Sequence, residues 1–260
     1  MFARPGNSVP VFVFGKQRSG TTMLMEVFHA RADTEVYNER RHSEVYVDFR
    51  VRGFEVVEEV IRRSKAPFVC FKPLADSHLI REFASRFPGA RVIWAYRNYV
   101  DAARSSLRKF GHATRAIRLV CTGQAGGGWF AEALSADTVR TLRAVYRPTL
   151  SALDFSCLVW WARNRLVFEL ELDRLPNTYI SKYEDIVNDR QGALAALFTF
   201  VGMPHDEKAV RRVSGPRPGA RELPVLDVEV RRLCDELLVG LDALRGYRAG
   251  ESVPKSASLP

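Results

Sequence analysis

The stretch Val11-Phe12-Val13-Phe14-Gly15-Lys16-Gln17-Arg18-Ser19-Gly20-Thr21-Thr22 joins a short apolar run to the start of a helical pattern. A strand, a glycine-containing turn and a helix in this order bind phosphate, because backbone N–H groups and the helix dipole attract anions there. From Gly15 onward the pattern reads G-x-x-x-x-G-T-T. A nucleotide kinase would carry Lys in place of Thr21, whereas this chain carries Arg18 earlier in the loop. The sequence therefore predicts an anion site that lacks the usual lysine of a kinase.

Length and composition fit one α/β domain, which we expect over residues 1–248, with a flexible tail over 249–260. The chain has 260 residues, 47% of them apolar, and a net charge of +9. This charge favours an anionic partner. No apolar run approaches the roughly 18 residues of a membrane span, and four widely spaced cysteines fit a reducing compartment. We therefore expect a cytoplasmic protein without a membrane span.

The apolar pattern predicts four short strands, over residues 10–14, 68–71, 91–96 and 177–181. Their apolar runs mostly lack alternation, as expected for parallel strands that are covered on both faces. Helical patterns lie at 21–30, 54–63, 77–87, 99–109, 153–172, 191–201 and 228–244. Strands and helices alternate through residue 109, which predicts a P-loop NTPase-like three-layer α/β/α sandwich with a central parallel sheet.

A second candidate anion site follows the third predicted strand. Arg97 stands where this strand ends, and Ser105 lies on the next helix. Ligands of open parallel sheets bind at the carboxyl ends of the strands, and an arginine with a neighbouring hydroxyl can hold a phosphate there. Two anion sites at adjacent strand ends indicate a ligand with phosphates at both ends of a nucleoside.

These motifs resemble those of sulfotransferases that use 3′-phosphoadenosine 5′-phosphosulfate (PAPS) and release its desulfonated product, PAP. Arg18-Ser19-Gly20-Thr21-Thr22 matches the loop that holds the 5′-phosphosulfate, and Arg97 with Ser105 matches the pair that holds the 3′-phosphate. Tyr183-Glu184-Asp185 matches the segment whose tyrosine lies beside the adenine. The resemblance spans roughly residues 9–205. With arginine in this loop, the chain resembles the Golgi branch that acts on tyrosylproteins and glycans, and it also resembles bacterial sulfotransferases.

The resemblance also implies which groups carry the chemistry. The cytosolic small-molecule branch uses a histidine two residues after a strand-end lysine, and here Leu74 stands two residues after Lys72. The branch with arginine in the loop uses a glutamate about twenty residues beyond it, and Glu39 stands twenty-one residues after Arg18. We take Glu39 as the base that removes the acceptor proton. Arg18 and Lys72 would stabilise charge on the leaving oxygen.

The register before this glutamate departs from the branch, because Arg31-Ala32 stands where His-Pro is frequent. Glu35 and Glu44 therefore stay open as alternative bases. Lys109 and Arg217 are additional candidates for the 3′-phosphate.

The sequence does not identify the acceptor. We expect a hydroxyl of a small metabolite, lipid, glycan or natural product. Its pocket should be formed by residues 40–65 and 111–150, with residues 111–150 acting as a lid. Neither a metal site nor nucleic-acid binding is expected, because the histidines lack ligand spacing and aromatics do not interleave with the arginine clusters. The resemblance suggests a homodimer. The alternatives are a P-loop nucleotide kinase and a non-catalytic protein that binds PAPS or PAP.

Overall fold

The computed structural model describes residues 7–111, 114–124, 128–132, 134–215 and 225–246. Its strands are β1 (Val9–Gly15), β2 (Thr34–Asn38), β3 (Tyr46–Val47), β4 (Arg50–Val51), β5 (Phe68–Lys72), β6 (Arg91–Tyr96) and β7 (Thr178–Lys182). Five of them form one sheet in the order β2-β5-β1-β6-β7, and each neighbouring pair is parallel. The remaining two, β3 and β4, form a short antiparallel hairpin.

Helices connect and cover these strands. They are α1 (Thr21–His29), α2 (Phe54–Arg63), α3 (Ile80–Arg86), α4 (Tyr99–Phe110), α5 (Thr114–Thr122), α6 (Gly128–Glu132), α7 (Ala136–Val145), α8 (Ala152–Asn164), α9 (Leu166–Glu169), α10 (Tyr183–Asn188), α11 (Arg190–Val201), α12 (Glu207–Val210) and α13 (Val228–Leu244). A 3₁₀ helix, Leu74–Leu79, precedes α3. Among the described helices, none combines the length and apolar character that crossing a bilayer requires.

The central strand β1 shows how the layers arise. Val11 and Val13 point to the core that α1 and α11 cover. Phe12 and Phe14 point to the other core, where the ring centroid of Phe12 lies 4.9 Å from that of Phe83 in α3. Both faces of the strand are buried because helices pack on both sides of the sheet. This arrangement confirms the predicted three-layer α/β/α sandwich with a parallel sheet.

All four predicted strands are present, and the sequence analysis missed the sheet strand β2 and the two short hairpin strands, β3 and β4. Strand β2 lies at the edge of the sheet, and all five of its residues are only half-buried. Its sequence, Thr-Glu-Val-Tyr-Asn, offers two apolar residues in a row, which is too short a run to separate a strand from a loop. As a result, Lys72 ends the third strand of the sheet in chain order and not the second.

The prediction of one helix over residues 153–172 is wrong. The chain forms α8 and then the short α9, and Glu171 has a φ of 47° that no helix contains. At the end of α8 the buried Asn164 amide donates to the Trp160 carbonyl at 2.9 Å and accepts from the Trp94 indole at 3.1 Å. This side chain competes with the backbone for helix hydrogen bonds. The helix predicted from residue 77 likewise begins as the 3₁₀ helix and becomes α-helical only at Ile80.

Candidate active site

The loop between β1 and α1 is shaped by two glycines. A Cβ on Gly15 would lie 2.2 Å from the carbonyl oxygen of Ala95, so only glycine lets β1 approach β6 this closely. Gly20 has a φ of 90° and caps α1 without any side-chain hydrogen bond. The first N–H groups of α1 therefore lack a side-chain acceptor, which is the arrangement that binds an anion.

Two cations tie this loop to the elements beside it. The Nε of Arg18 donates to the Oγ of Ser105 on α4 at 3.0 Å. On the other side, the Nζ of Lys72 at the end of β5 donates to the Oγ1 of Thr22 at 3.4 Å. Burial lowers the pKa of Lys72, while the Glu39 carboxylate opposes that shift. The loop thus carries positive charge on both flanks.

Arg97 follows β6 and packs on Tyr183, which follows β7. Its guanidinium carbon lies 4.2 Å from the centroid of the Tyr183 ring. Two carboxylates hold the guanidinium in place, with Asp101 Oδ2 at 3.6 Å from Nη2 and Glu184 Oε1 at 3.8 Å from Nε. A Cβ on Gly20 would lie 2.7 Å from Cδ2 of Tyr183. The loop, the tyrosine and the arginine therefore form one continuous surface.

This surface borders a cleft of about 1140 Å³ in which basic residues outnumber acidic ones. The charged lining residues are Arg18, Arg97, Arg104, Arg108, Lys109, Arg231, Glu26, Asp101, Glu184 and Asp235. Lys109 thus lines the cleft, whereas Arg217 lies outside the described residues. The structure brings Arg18, Ser105, Arg97 and Tyr183 together at this cleft.

Several lining residues escaped the sequence analysis. Arg104 and Arg108 continue the helical face that begins at Asp101, so their spacing on α4 was an available signal. Asp235 of α13 also lines the cleft, and its Oδ1 accepts from the Tyr99 hydroxyl at 2.7 Å. Burial, followed by this hydrogen bond, raises the pKa of Tyr99 well above its usual value. No local sequence pattern predicts a contact between residues as far apart in the chain as Tyr99 and Asp235.

Glu39 lies after β2, at the opposite end of the row of strand ends from Tyr183, which follows β7. Glu39 directly follows Asn38, the last residue of β2, which pairs in register with Lys72 of β5. Burial raises the pKa of the Glu39 carboxyl to about 7, although the Lys72 ammonium and the backbone of Leu74 favour its ionised form. Its Oε2 is buried and has no hydrogen-bond partner among the described residues. Glu39 is therefore a carboxyl group poised to exchange a proton near neutral pH.

The two alternative glutamates are engaged elsewhere. Glu35 accepts hydrogen bonds from the Tyr37 hydroxyl and, at 2.7 Å, from the Ser64 hydroxyl. Glu44 is exposed and forms an ion pair with Arg63. Both carboxylates are thus held by neighbouring side chains, whereas the buried Oε2 of Glu39 has no hydrogen-bond partner among the described residues.

The predicted site residues share one edge of the sheet. At least one of them lies at or just after the carboxyl end of every sheet strand, because the carboxyl ends of parallel strands meet at that edge. In spatial order they are Glu39 after β2, Lys72 at the end of β5, the loop after β1, Arg97 after β6 and Tyr183 after β7. Within the described part of the chain, no cluster of His, Cys, Asp and Glu is arranged to hold a metal ion. The fold and this edge define a P-loop-type α/β protein with a cleft in which basic residues outnumber acidic ones.

The chain belongs to the sulfotransferase family. The family described as "Sulfotransferase domain" matches residues 9–215, which include every strand of the sheet and the loop. The resemblance predicted from the loop, Arg97 with Ser105 and the Tyr183 segment is thereby confirmed at the level of the family.

Solved structures agree with this fold. A sulfotransferase of Alicyclobacillus acidocaldarius aligns with a TM-score of 0.52 at 16% identity, over 93% of this chain and 96% of its own. The sulfotransferase domain from the curacin biosynthetic pathway aligns with a TM-score of 0.52 at 14% identity, over 89% and 98%. The sulfotransferase domain of the Synechococcus PCC 7002 olefin synthase aligns with a TM-score of 0.50 at 14% identity, over 89% of this chain and 95% of its own. Among curated proteins, none matches the chain significantly.

Proposed function

We propose that this sulfotransferase moves the sulfuryl group of PAPS to an acceptor hydroxyl. One observation carries the proposal: the Glu39 carboxyl, whose pKa burial raises to about 7, lies on one side of the loop, and Arg97 and Ser105 lie on the other. A donor with anionic groups at both ends of a nucleoside matches the second side. An acceptor hydroxyl that must lose a proton matches the first.

The cleft fits such a donor. Its volume of about 1140 Å³ exceeds the roughly 300–1,000 Å³ of common ligand pockets. The Oγ of Ser19 is buried without a hydrogen-bond partner among the described residues, and the N-terminus of α1 has no side-chain cap. The residues that would hold PAPS are Arg18, Ser19, Gly20, Thr21 and Thr22 at the 5′ end, Arg97, Ser105 and Lys109 at the 3′ end, and Tyr183 beside the adenine.

Bound PAPS supplies an activated sulfuryl group on a phosphate leaving group. Glu39 removes the proton of the acceptor hydroxyl, since a pKa of about 7 leaves a large share of the carboxyl ionised at neutral pH. Arg18 and Lys72 flank the loop and stabilise the negative charge that grows on the leaving oxygen. The N–H groups at the start of α1 add to this stabilisation.

The acceptor site lies on the Glu39 side of the loop. The chain runs from Glu39 into the hairpin of β3 and β4. Phe49, in the turn of this hairpin, is half-exposed, and its backbone N–H donates to the Arg40 carbonyl at 3.3 Å. Residues from this hairpin, together with the partly described region 111–150, would surround the acceptor. We propose a hydroxyl of a small metabolite, lipid, glycan or natural product.

Calorimetric titration with PAP tests the donor assignment, with ATP and Mg²⁺ as the control ligand. We expect micromolar or tighter binding of PAP. Replacing Arg97→Ala should weaken PAP by roughly 10- to 100-fold, because a hydrogen bond to a charged group contributes about 1.5–3 kcal/mol. Adenosine 5′-phosphosulfate, which lacks the 3′-phosphate, should lose far less.

The matched control is Arg91→Ala. Arg91 lies at the amino end of the same strand, where it donates to Asn177 at 2.5 Å, far along β6 from Arg97. This variant should bind PAP as the wild type does. Equal losses for PAP and adenosine 5′-phosphosulfate in Arg97→Ala would refute its role at the 3′-phosphate. Binding of ATP without binding of PAP would replace the donor assignment by the kinase alternative.

A further inference from the structure

Lys16 is a buried lysine within the phosphate-binding loop itself. It directly follows β1 and is only 2% exposed. Its Nζ donates to the Oγ of Ser106 on α4, while Arg18 donates to the adjacent Ser105. Ser105 lines the cleft, whereas Lys16 and Ser106 do not. Two basic residues of the loop thus donate hydrogen bonds to consecutive serines of α4, and Lys16 does so on the side of the loop that faces away from the cleft.

The surroundings of Lys16 leave its charge unbalanced. From α4 it faces the Ser106 hydroxyl, from α8 the Cys157 thiol, and from the loop the Arg18 guanidinium. Among the described residues that influence it, none is a carboxylate. A buried ammonium is costly unless an opposite charge or several acceptors compensate it. The missing negative charge can come from a ligand in the loop.

The direction in which the pKa of Lys16 shifts agrees with this arrangement. Burial lowers the pKa of Lys16 to about 7, Arg18 lowers it too, and the Cys157 thiol opposes the shift. The protein without nucleotide therefore holds Lys16 mostly neutral at pH 8. An anion close to the loop favours the ammonium form and raises the pKa again.

We propose that Lys16 is a positioning residue for the sulfuryl donor: it provides a buried positive charge that balances the 5′ anion from behind the loop and fixes the loop to α4 through Ser106. This inference rests on the proposed use of PAPS. Lys16 would act on the donor indirectly, through the loop and α4, because it does not line the cleft. Donor binding then draws a proton onto Lys16, so affinity falls as the pH rises above about 7.

Calorimetry at pH 8.0 in HEPES and in Tris measures this proton, because the two buffers have different ionisation enthalpies. The phosphate groups of PAP are already ionised at this pH, since their second pKa is about 6. We expect wild-type protein to take up more than half a proton for each PAP bound, and Lys16→Met to take up none. Ser106→Ala should keep the uptake while weakening PAP by roughly 3- to 10-fold, about 1 kcal/mol for one hydrogen bond.

Glu39→Gln is the matched control, because Glu39 also titrates near pH 7 and would respond to an anion. This variant should keep the proton uptake. PAP that binds the wild type without proton uptake, or with equal uptake in Lys16→Met, overturns the inference while leaving the donor assignment intact. Absence of PAP binding to the wild type overturns both.

If Lys16→Met does not fold, the pH dependence of the wild type still decides. Between pH 7.5 and 8.5 the dissociation constant of PAP should rise by more than about threefold in both the wild type and Glu39→Gln, as the uptake of more than half a proton on binding requires. A constant affinity over this range overturns the inference.

Discussion

The two sides of the loop are built in different ways. The donor side, which comprises the loop over residues 15–22 with Arg97, Ser105 and Tyr183, stands on the ends of β1, β6 and β7 and on the start of the regular helix α1. The acceptor side, which comprises Glu39, Lys72 and the β3–β4 hairpin, stands on the ends of β2 and β5 and on the irregular segment that follows β2. We expect anion binding to use backbone geometry that many sequences provide, and acceptor binding to use side chains carried by this irregular segment.

Backbone strain occurs on both sides of the loop. The hairpin turn places Asp48 at a φ of 46° and Phe49 at 66°, in the left-handed region that usually favours glycine. On the donor side, Arg18 adopts a φ of 72°, while Gly15 and Gly20 adopt positive φ as glycines readily do. Non-glycine residues in this region typically cost of the order of 1–3 kcal/mol each and concentrate at functional sites. Both sides therefore retain specific side chains at the expense of stability.

The largest effect should come from the acceptor side. Glu39→Gln removes the proposed base while keeping the shape of the side chain, so turnover with PAPS should fall by roughly 10²- to 10⁴-fold. The affinity for PAP should stay unchanged, as measured by calorimetry beside an assay of sulfuryl transfer to a panel of hydroxyl acceptors.

The pH–rate profile sharpens the same assignment. Because Glu39 acts in its ionised form and its pKa is about 7, the wild-type rate should rise between pH 6 and pH 8. Glu35→Gln keeps the size and shape of a side chain that accepts hydrogen bonds from Tyr37 and Ser64, and it serves as the control, with less than a threefold change in turnover. Wild-type turnover in Glu39→Gln would exclude it as the base.

A smaller but still large effect is expected on the donor side. Gly20→Ala places a Cβ 2.7 Å from the Tyr183 ring at a φ of 90°, so the tyrosine and the loop must move apart. The affinity for PAP should fall by at least about tenfold, since precise loop geometry positions the donor. Gly89→Ala is the control, because Gly89 has a φ of 83° and no atom within 4 Å of the added Cβ. It carries the same strain without the contact, and equal losses of affinity in both variants would contradict this account.

The smallest effect should come from the hairpin turn. Phe49→Gly relieves the strain at a φ of 66° and should raise the free energy of unfolding by about 1 kcal/mol or less. Asp48→Gly relieves similar strain and keeps the aromatic ring. Both variants should bind PAP normally, and urea denaturation measures their stability. If Phe49 contacts the acceptor, only Phe49→Gly should raise the KM for it, whereas equal KM values would separate the hairpin from the acceptor site.

The same contrast explains what could be predicted from the sequence. The loop, Arg97 with Ser105 and Tyr183 were found because each belongs to a local pattern placed at a strand end. The edge strand β2 was missed because its short apolar pair carries no strand signal. The burial of Lys16 was missed for a different reason: a lysine in a turn is normally solvated, and only the packing of α4 and α8 behind the loop encloses it.

The cleft also depends on a helix that comes late in the chain. Arg231, Asp235 and Leu238 of α13 line it, although the family match ends at residue 215. During synthesis, the sheet and the loop emerge from the ribosome before this helix does. A nascent chain that has not yet released α13 lacks one wall of the cleft and the hydrogen bond from Tyr99 to Asp235. The proposed nucleotide would find the complete cleft only after α13 has docked, and its binding would favour that docking by mass action.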